Sequence, residues 1–66
     1  MRNNIKVERA ILNLTQEELA NKISVSRQTI NAMEANKYVP STVLALKIAR
    51  VFNKPVEQIF FLEDGD

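Results

Sequence analysis

Cysteine, histidine and tryptophan are absent from the 66 residues, and there is one glycine. Without cysteine there are no disulfides, no thiolate metal site and no thiol nucleophile. Without histidine the commonest general base and the commonest transition-metal ligand are missing, along with any serine–histidine triad. No metal and no cofactor is therefore expected. A chain this short buries only about 60% of its unfolded surface. A catalytic cleft of several hundred Å³ would consume most of such a core. With no nucleophile–base pair in the sequence, binding is favoured and an enzyme is not expected. There is also no long apolar run. At 45% hydrophobic and 26% charged, the chain is too broken by charge for a membrane span and too apolar for disorder. The opening MRNNIKVER lacks the apolar centre of a secretory signal, which points to the cytoplasm and away from membranes. No linker or repeat divides residues 1–66, so one domain is expected.

The net charge of +1 hides an uneven distribution. All nine Lys and Arg fall within residues 1–54, against four glutamates, a balance of +5. Residues 55–66 carry Glu57, Glu63, Asp64 and Asp66 and no base, a balance of −4. A basic body with an acidic tail suits a nucleic-acid binder whose tail faces away from the phosphates. An ordinary mixed-charge surface fits the same numbers equally well.

The punctuation is that of short helices. Val7, Ala10, Ile11 and Leu14 recur at helical spacing, predicting a first helix that buries this stripe and ends near Asn13 or Leu14. Thr15 and Glu18 form a capping box, in which each side chain takes the other's backbone amide. Leu19, Ala20 and Ile23 give the second helix a buried face. Ser24-Val25-Ser26 breaks it, and Ser26 is a good N-cap for a third helix over Arg27 to about Ala35. Asn36 closes that helix in a left-handed conformation. Pro40-Ser41 opens a fourth helix with Ala45, Ile48, Ala49 and Phe52 on its buried side and Leu44 and Val51 off that stripe. Asn53 ends it. Pro55 suits the start of a fifth, running from Val56 to about Phe60. No period-two alternation marks a strand, and the body reads as all-α.

Residues 15–35 hold two helices of about two turns joined by a break of about three residues, the helix-turn-helix pattern. The third helix tests whether the pattern concerns DNA. Stepping about 100° per residue from Arg27 puts Asn31, Ala35, Gln28 and Ala32 on one arc and Ile30 and Met33 on the other side. Glu34 lies just off the arc. Arginine reads guanine N7 and O6, and asparagine and glutamine read adenine N6 and N7. Alanines between them permit close approach, whereas a merely solvated face usually carries Glu and Lys.

TQEELANKISVSRQTINAMEANKYVPS resembles the helix-turn-helix of Cro/C1-type, or XRE-type, regulators. SRQTIN through LALKIA is most similar to small cytolysin-repressor-like members, and the likeness spans about residues 4–60. It implies a five-helix, lambda repressor-like domain that lays its third helix in the major groove and binds as a two-fold dimer. It implies base contacts from Arg27, Gln28 and Asn31, with Ser26 and Thr29 near the groove wall. Gln16, Asn36, Lys37 and Tyr38 would meet the phosphate backbone. It also implies a structural ion pair between Arg9 and Glu34, otherwise two unrelated charges 25 positions apart. The sequence departs from the family at Ser24, where glycine is usual. A left-handed serine costs on the order of 1 kcal/mol.

Ile59, Phe60, Phe61 and Leu62 are four successive large apolar residues, which either cap the core or make an interface. Four in a row cannot all face inward on a short helix, and 66 residues supply little buried area. A homodimer built on segment 56–66 is therefore expected. The resemblance also allows residues 60–63 to pair with Met1–Asn4 as a two-stranded antiparallel sheet, alternate residues facing each way. The expected function is that of a regulator of transcription, a repressor on double-stranded DNA. The alternative from another class is an antitoxin-like protein-interaction module, against which only six residues follow Phe60.

Overall fold

The computed structural model describes all 66 residues. The elements in order are β1 (Arg2–Asn3), α1 (Ile5–Leu12), α2 (Gln16–Lys22), α3 (Arg27–Glu34) and α4 (Thr42–Phe52). A single 3₁₀ turn (Val56–Gln58) and β2 (Phe60–Phe61) complete the chain.

Caps set the helix boundaries. Thr15 Oγ1 accepts from the Glu18 amide at 3.0 Å, and the Glu18 carboxylate accepts from the Thr15 amide at 2.9 Å. Ser26 and Ser41 accept from the amides of Thr29 and Leu44, each at 3.2 Å. At the other ends stand Asn13, Ser24, Asn36 and Asn53, all with φ between 55° and 61°. After each, the next amide returns to a carbonyl five residues back: Leu14 to Arg9, Val25 to Ala20, Lys37 to Ala32 and Lys54 to Ala49. This double closure normally uses glycine. Three asparagines and one serine serve here, because their short polar side chains tolerate the left-handed region best after glycine.

Ile5, Leu19, Ile30, Met33, Ile48 and Ile59 are fully buried, so every helix and the C-terminal segment contribute to one core. β1 and β2 pair antiparallel, with Arg2 opposite Phe61 and Asn3 opposite Phe60. The Asn4 amide extends the pairing to the Ile59 carbonyl at 2.8 Å.

Three expectations are corrected. There are four α-helices, not five. The segment after Pro55 makes one 3₁₀ turn before Phe60 enters the sheet, since pairing with β1 and burial of Ile59 take the backbone out of helix. The first helix buries Ile5 and Glu8, while Val7, Ala10 and Ile11 face outward. Two apolar arcs compete on that helix, and periodicity does not say which one faces the core. The inner arc carries Arg9, which reaches α3, and Glu8, which meets Lys54 at 2.8 Å. On α4, Leu44 belongs to the core and Val51 packs against it half-buried.

Candidate nucleic-acid interface

Between α2 and α3 the chain turns through Ile23, Ser24 and Val25. Ser24 has φ 60°, and Val25 packs against the core. Ile30 and Met33 sink the inner side of α3 into that core. Arg27, Gln28 and Asn31 are left exposed on its outer side. Arg27, Gln28, Asn31, Ala32 and Lys37 surround one shallow recess. Gln28, Thr29, Ala32, Lys37 and Tyr38 surround its neighbour. The Arg27–Gln28–Asn31 arc and the residues after α3 thus form one continuous surface, with Ala32 as its low point and Lys37 on both rims.

Ser26 and Thr29 stand at the front of α3, their hydroxyls 3.0 Å apart. The Ser26 side chain is the helix cap, so it fixes the entry of α3. Asn36 follows α3 in the left-handed conformation, with its Oδ1 3.4 Å from Asn3 Nδ2.

Behind the face lies an ion-pair network. Arg9 Nε and Nη2 donate to both carboxylate oxygens of Glu34, at 2.7 and 3.0 Å. Arg9 Nη1 donates to the Leu14 carbonyl at 2.8 Å. Gln16 Nε2 donates to Glu34 Oε1 at 3.1 Å. One guanidinium therefore ties α1, the α1–α2 turn and the last residue of α3 together through a planar fork. Gln16 retains its second amide hydrogen, which is what a phosphate would need. Burial alone would raise the Glu34 carboxyl, but the hydrogen bonds from Arg9 and Gln16 outweigh it and hold the group below its ordinary value. The same bond to Glu34 raises Arg9.

Sequence reasoning did not find Asn3. Its Nδ2 donates to the Met33 carbonyl at 2.8 Å, and its Oδ1 accepts from the Ile5 amide at 3.1 Å. The strand thereby holds the C-terminal end of α3, while Arg9 and Gln16 hold Glu34. An asparagine three residues into the chain gives no local signal of a partner 30 residues away. The four residues expected at an interface divide. Ile59 and Phe60 are in the chain's own core, Phe61 is half-buried, and Leu62 is 80% exposed.

This geometry defines a class: a small helical domain whose second and third helices form a helix-turn-helix with a polar, close-approach outer face. Comparison with known proteins agrees. The helix-turn-helix family model matches residues 5–59, and the chain belongs to this family, in its XRE-type branch. The chain is 54% identical over 66 residues to an uncharacterised HTH-type transcriptional regulator of Methanocaldococcus jannaschii, covering all of both chains. It is 44% identical over 64 residues to an uncharacterised HTH-type regulator of Bacillus subtilis, covering 97% of each. A Bacteroides fragilis crystal structure, described as that of a candidate DNA-binding protein, superposes with TM-score 0.79 at 33% identity. It covers 88% of this chain and 94% of its own. No helix is long and apolar enough to cross a membrane.

Proposed function

We propose that the protein is a cytoplasmic, sequence-specific regulator of transcription that binds an inverted-repeat operator in double-stranded DNA as a homodimer and represses by occupancy. The observation that carries this reading is the exposed Arg27–Gln28–Asn31 arc around Ala32. Arg27 addresses guanine and Gln28 and Asn31 address adenine, and the small alanine lets the helix axis approach the base edges. Ser26 and Thr29 lie against the groove wall. Gln16, Asn36, Lys37 and Tyr38 hold the phosphates on either side, fixing register without reading sequence.

A lone recognition helix covers about four or five base pairs, too few to define a site in a genome. Two-fold pairing doubles the readout. Of the exposed apolar side chains, the proposal gives a second copy Leu62 with Phe61 beside it, and Val39, Val43 and Leu46 around the start of α4, all three more than half exposed. Selection of bound duplexes from a random pool tests the proposal. The expected product is a pair of inverted half-sites with centres about 10 base pairs apart. A pool with no enriched sequence would overturn it.

A further inference from the structure

Asn3 has both ends of its side-chain amide committed, and its partners fix which end is which. Its Oδ1 accepts from the Ile5 amide at 3.1 Å, and its Nδ2 donates to the Met33 carbonyl at 2.8 Å. A backbone N–H only donates and a backbone carbonyl only accepts, so the Asn3 amide has one orientation. The ribbon holds the residue itself. Asn3 stands opposite Phe60, and the next amide, that of Asn4, meets the Ile59 carbonyl at 2.8 Å.

One hydrogen of Nδ2 is left over, and Asn36 Oδ1 lies 3.4 Å from that nitrogen. The contact is long, but it has a sign: it attracts the oxygen of Asn36 and repels its NH2 group. Asn36 is exposed, and with its oxygen turned to Asn3 its own Nδ2 turns out to solvent. The Asn36 backbone is fixed at the same point. Its amide donates to the Met33 carbonyl at 3.0 Å, with φ 61°. That carbonyl belongs to the last turn of α3, where intrahelical partners run out, and its two lone pairs serve both asparagines. Lys37 follows directly, its amide on the Ala32 carbonyl at 2.9 Å. It borders both recesses of the α3 face.

We propose that Asn3 is a positioning residue for DNA: through the Met33 carbonyl and Asn36 Oδ1 it aims Asn36 Nδ2 outward as a preset donor to a backbone phosphate. The inference rests on the regulator reading and deepens it, naming the Asn36 atom that meets the phosphate and the residue that orients it. Only a short primary amide serves at position 3. A carboxylate could take the Ile5 amide, but it would set a second acceptor against the Met33 carbonyl and draw the Asn36 NH2 inward. A serine hydroxyl can take the Ile5 amide in the same local turn, but it is too short to reach α3. Presetting matters because an unheld Asn36 would have to give up its rotamer freedom on binding. A phosphate contact carries no sequence information, so the benefit falls on all duplexes alike.

The test is a double-mutant cycle on the full chain. Asn3→Ser should weaken binding to the selected operator and to an unrelated duplex by the same factor, about fivefold, leaving their ratio unchanged. Glycine keeps the left-handed turn at position 36. In an Asn36→Gly background, Asn3→Ser should therefore change DNA affinity by less than about twofold. Urea unfolding should show the substitution costing similar stability in both backgrounds, because the bond to Met33 is lost in either. Lost stability with undiminished DNA affinity would make Asn3 merely structural and overturn the proposal. So would a loss confined to the operator, which would place the effect on the base-reading residues. An equal loss in the Asn36→Gly background would bypass Asn36 and overturn it too. The free protein gives a readout without DNA: Asn3→Ser should shift the Asn36 side-chain amide resonances and leave those of Gln28 in place. Unshifted Asn36 resonances in a DNA-binding parent would overturn this role alone. A parent that binds no duplex would overturn the regulator reading and this role with it.

Discussion

At the residue scale, the proposed specificity rests on three side chains of different reach. Arg27 and Gln28 lie one residue apart at the front of α3, and Asn31 follows one turn later on the same arc. Arg27→Ala and Gln28→Ala should each cost about 1–3 kcal/mol of specific binding, with the far-ultraviolet spectrum unchanged because both are exposed. Parent-like binding of the selected site by both variants would remove α3 from the groove. The proposal gives Lys37 the other category of contact, a phosphate. Lys37→Ala should weaken all sequences alike and reduce the slope of log K against log salt by about one unit. This face was legible in the sequence because it depends on residue types at helical spacing. The residues that hold it were not. Asn3 reaches Met33 across 30 positions and Lys54 reaches Glu8 across 46, and no local pattern encodes such distances. Arg9 and Glu34 came into view through the family resemblance, not through their spacing.

Helix ends were the readable part at the element scale, since capping is a local transaction between a hydroxyl or carboxylate and an amide three residues away. Which face of a helix turns inward is a tertiary matter, and α1 shows the consequence: Ile5 with Leu12 and Val7 with Ile11 make rival arcs. The final turn was over-read as helix because Pro55 marks a start but nothing local marks so early a stop. Ser24 allows a direct test of the helix-turn-helix turn. Its φ of 60° costs on the order of 1 kcal/mol, of which glycine's greater unfolded-state freedom would return about half. Ser24→Gly should therefore raise Tm by about 2–4 °C in a domain of this size. Ser24→Ala should give no such gain, and a fall in Tm for the glycine variant would show that the serine side chain is favourable there. The ion-pair network has a pH signature. The carboxyl of Glu34 is held below its ordinary value, so it binds protons more weakly folded than unfolded. Its contribution is complete above the ordinary carboxylate range and is lost as pH falls through the folded-state value. Glu18, lowered first by its bond to the Thr15 amide and then by the Thr15 hydroxyl, acts in the same direction. Urea unfolding from neutral pH down to about pH 3 should show stability declining only in the acid range, and Glu34→Gln should decline less steeply than the parent.

The scale of the whole molecule is where one domain falls short of a function. With Ile59 and Phe60 spent on the chain's own core, the proposed dimer surface is drawn from the exposed apolar side chains near the C-terminus and the start of α4, Leu62 and the Val39–Val43–Leu46 set. Phe61 is a poor place to test this, since it sits opposite Arg2 in the sheet that leads to Asn3. Leu62→Ser combined with Val43→Ser is cleaner, because both side chains are exposed and neither belongs to the core. Sedimentation of the native chain at tens of micromolar should give a dimer, and that of the double variant a monomer of similar helicity. The DNA provides an independent measure. A two-fold dimer sets its recognition helices about 34 Å apart, one turn of B-form duplex. Inserting about five base pairs between the half-sites keeps every base contact available but rotates one of them to the far side of the duplex. Affinity for that duplex should fall to that of an isolated half-site. If the spaced operator bound as tightly as the original, each domain would be reading DNA on its own. Two-fold geometry would then play no part in recognition, whatever the chain does in free solution.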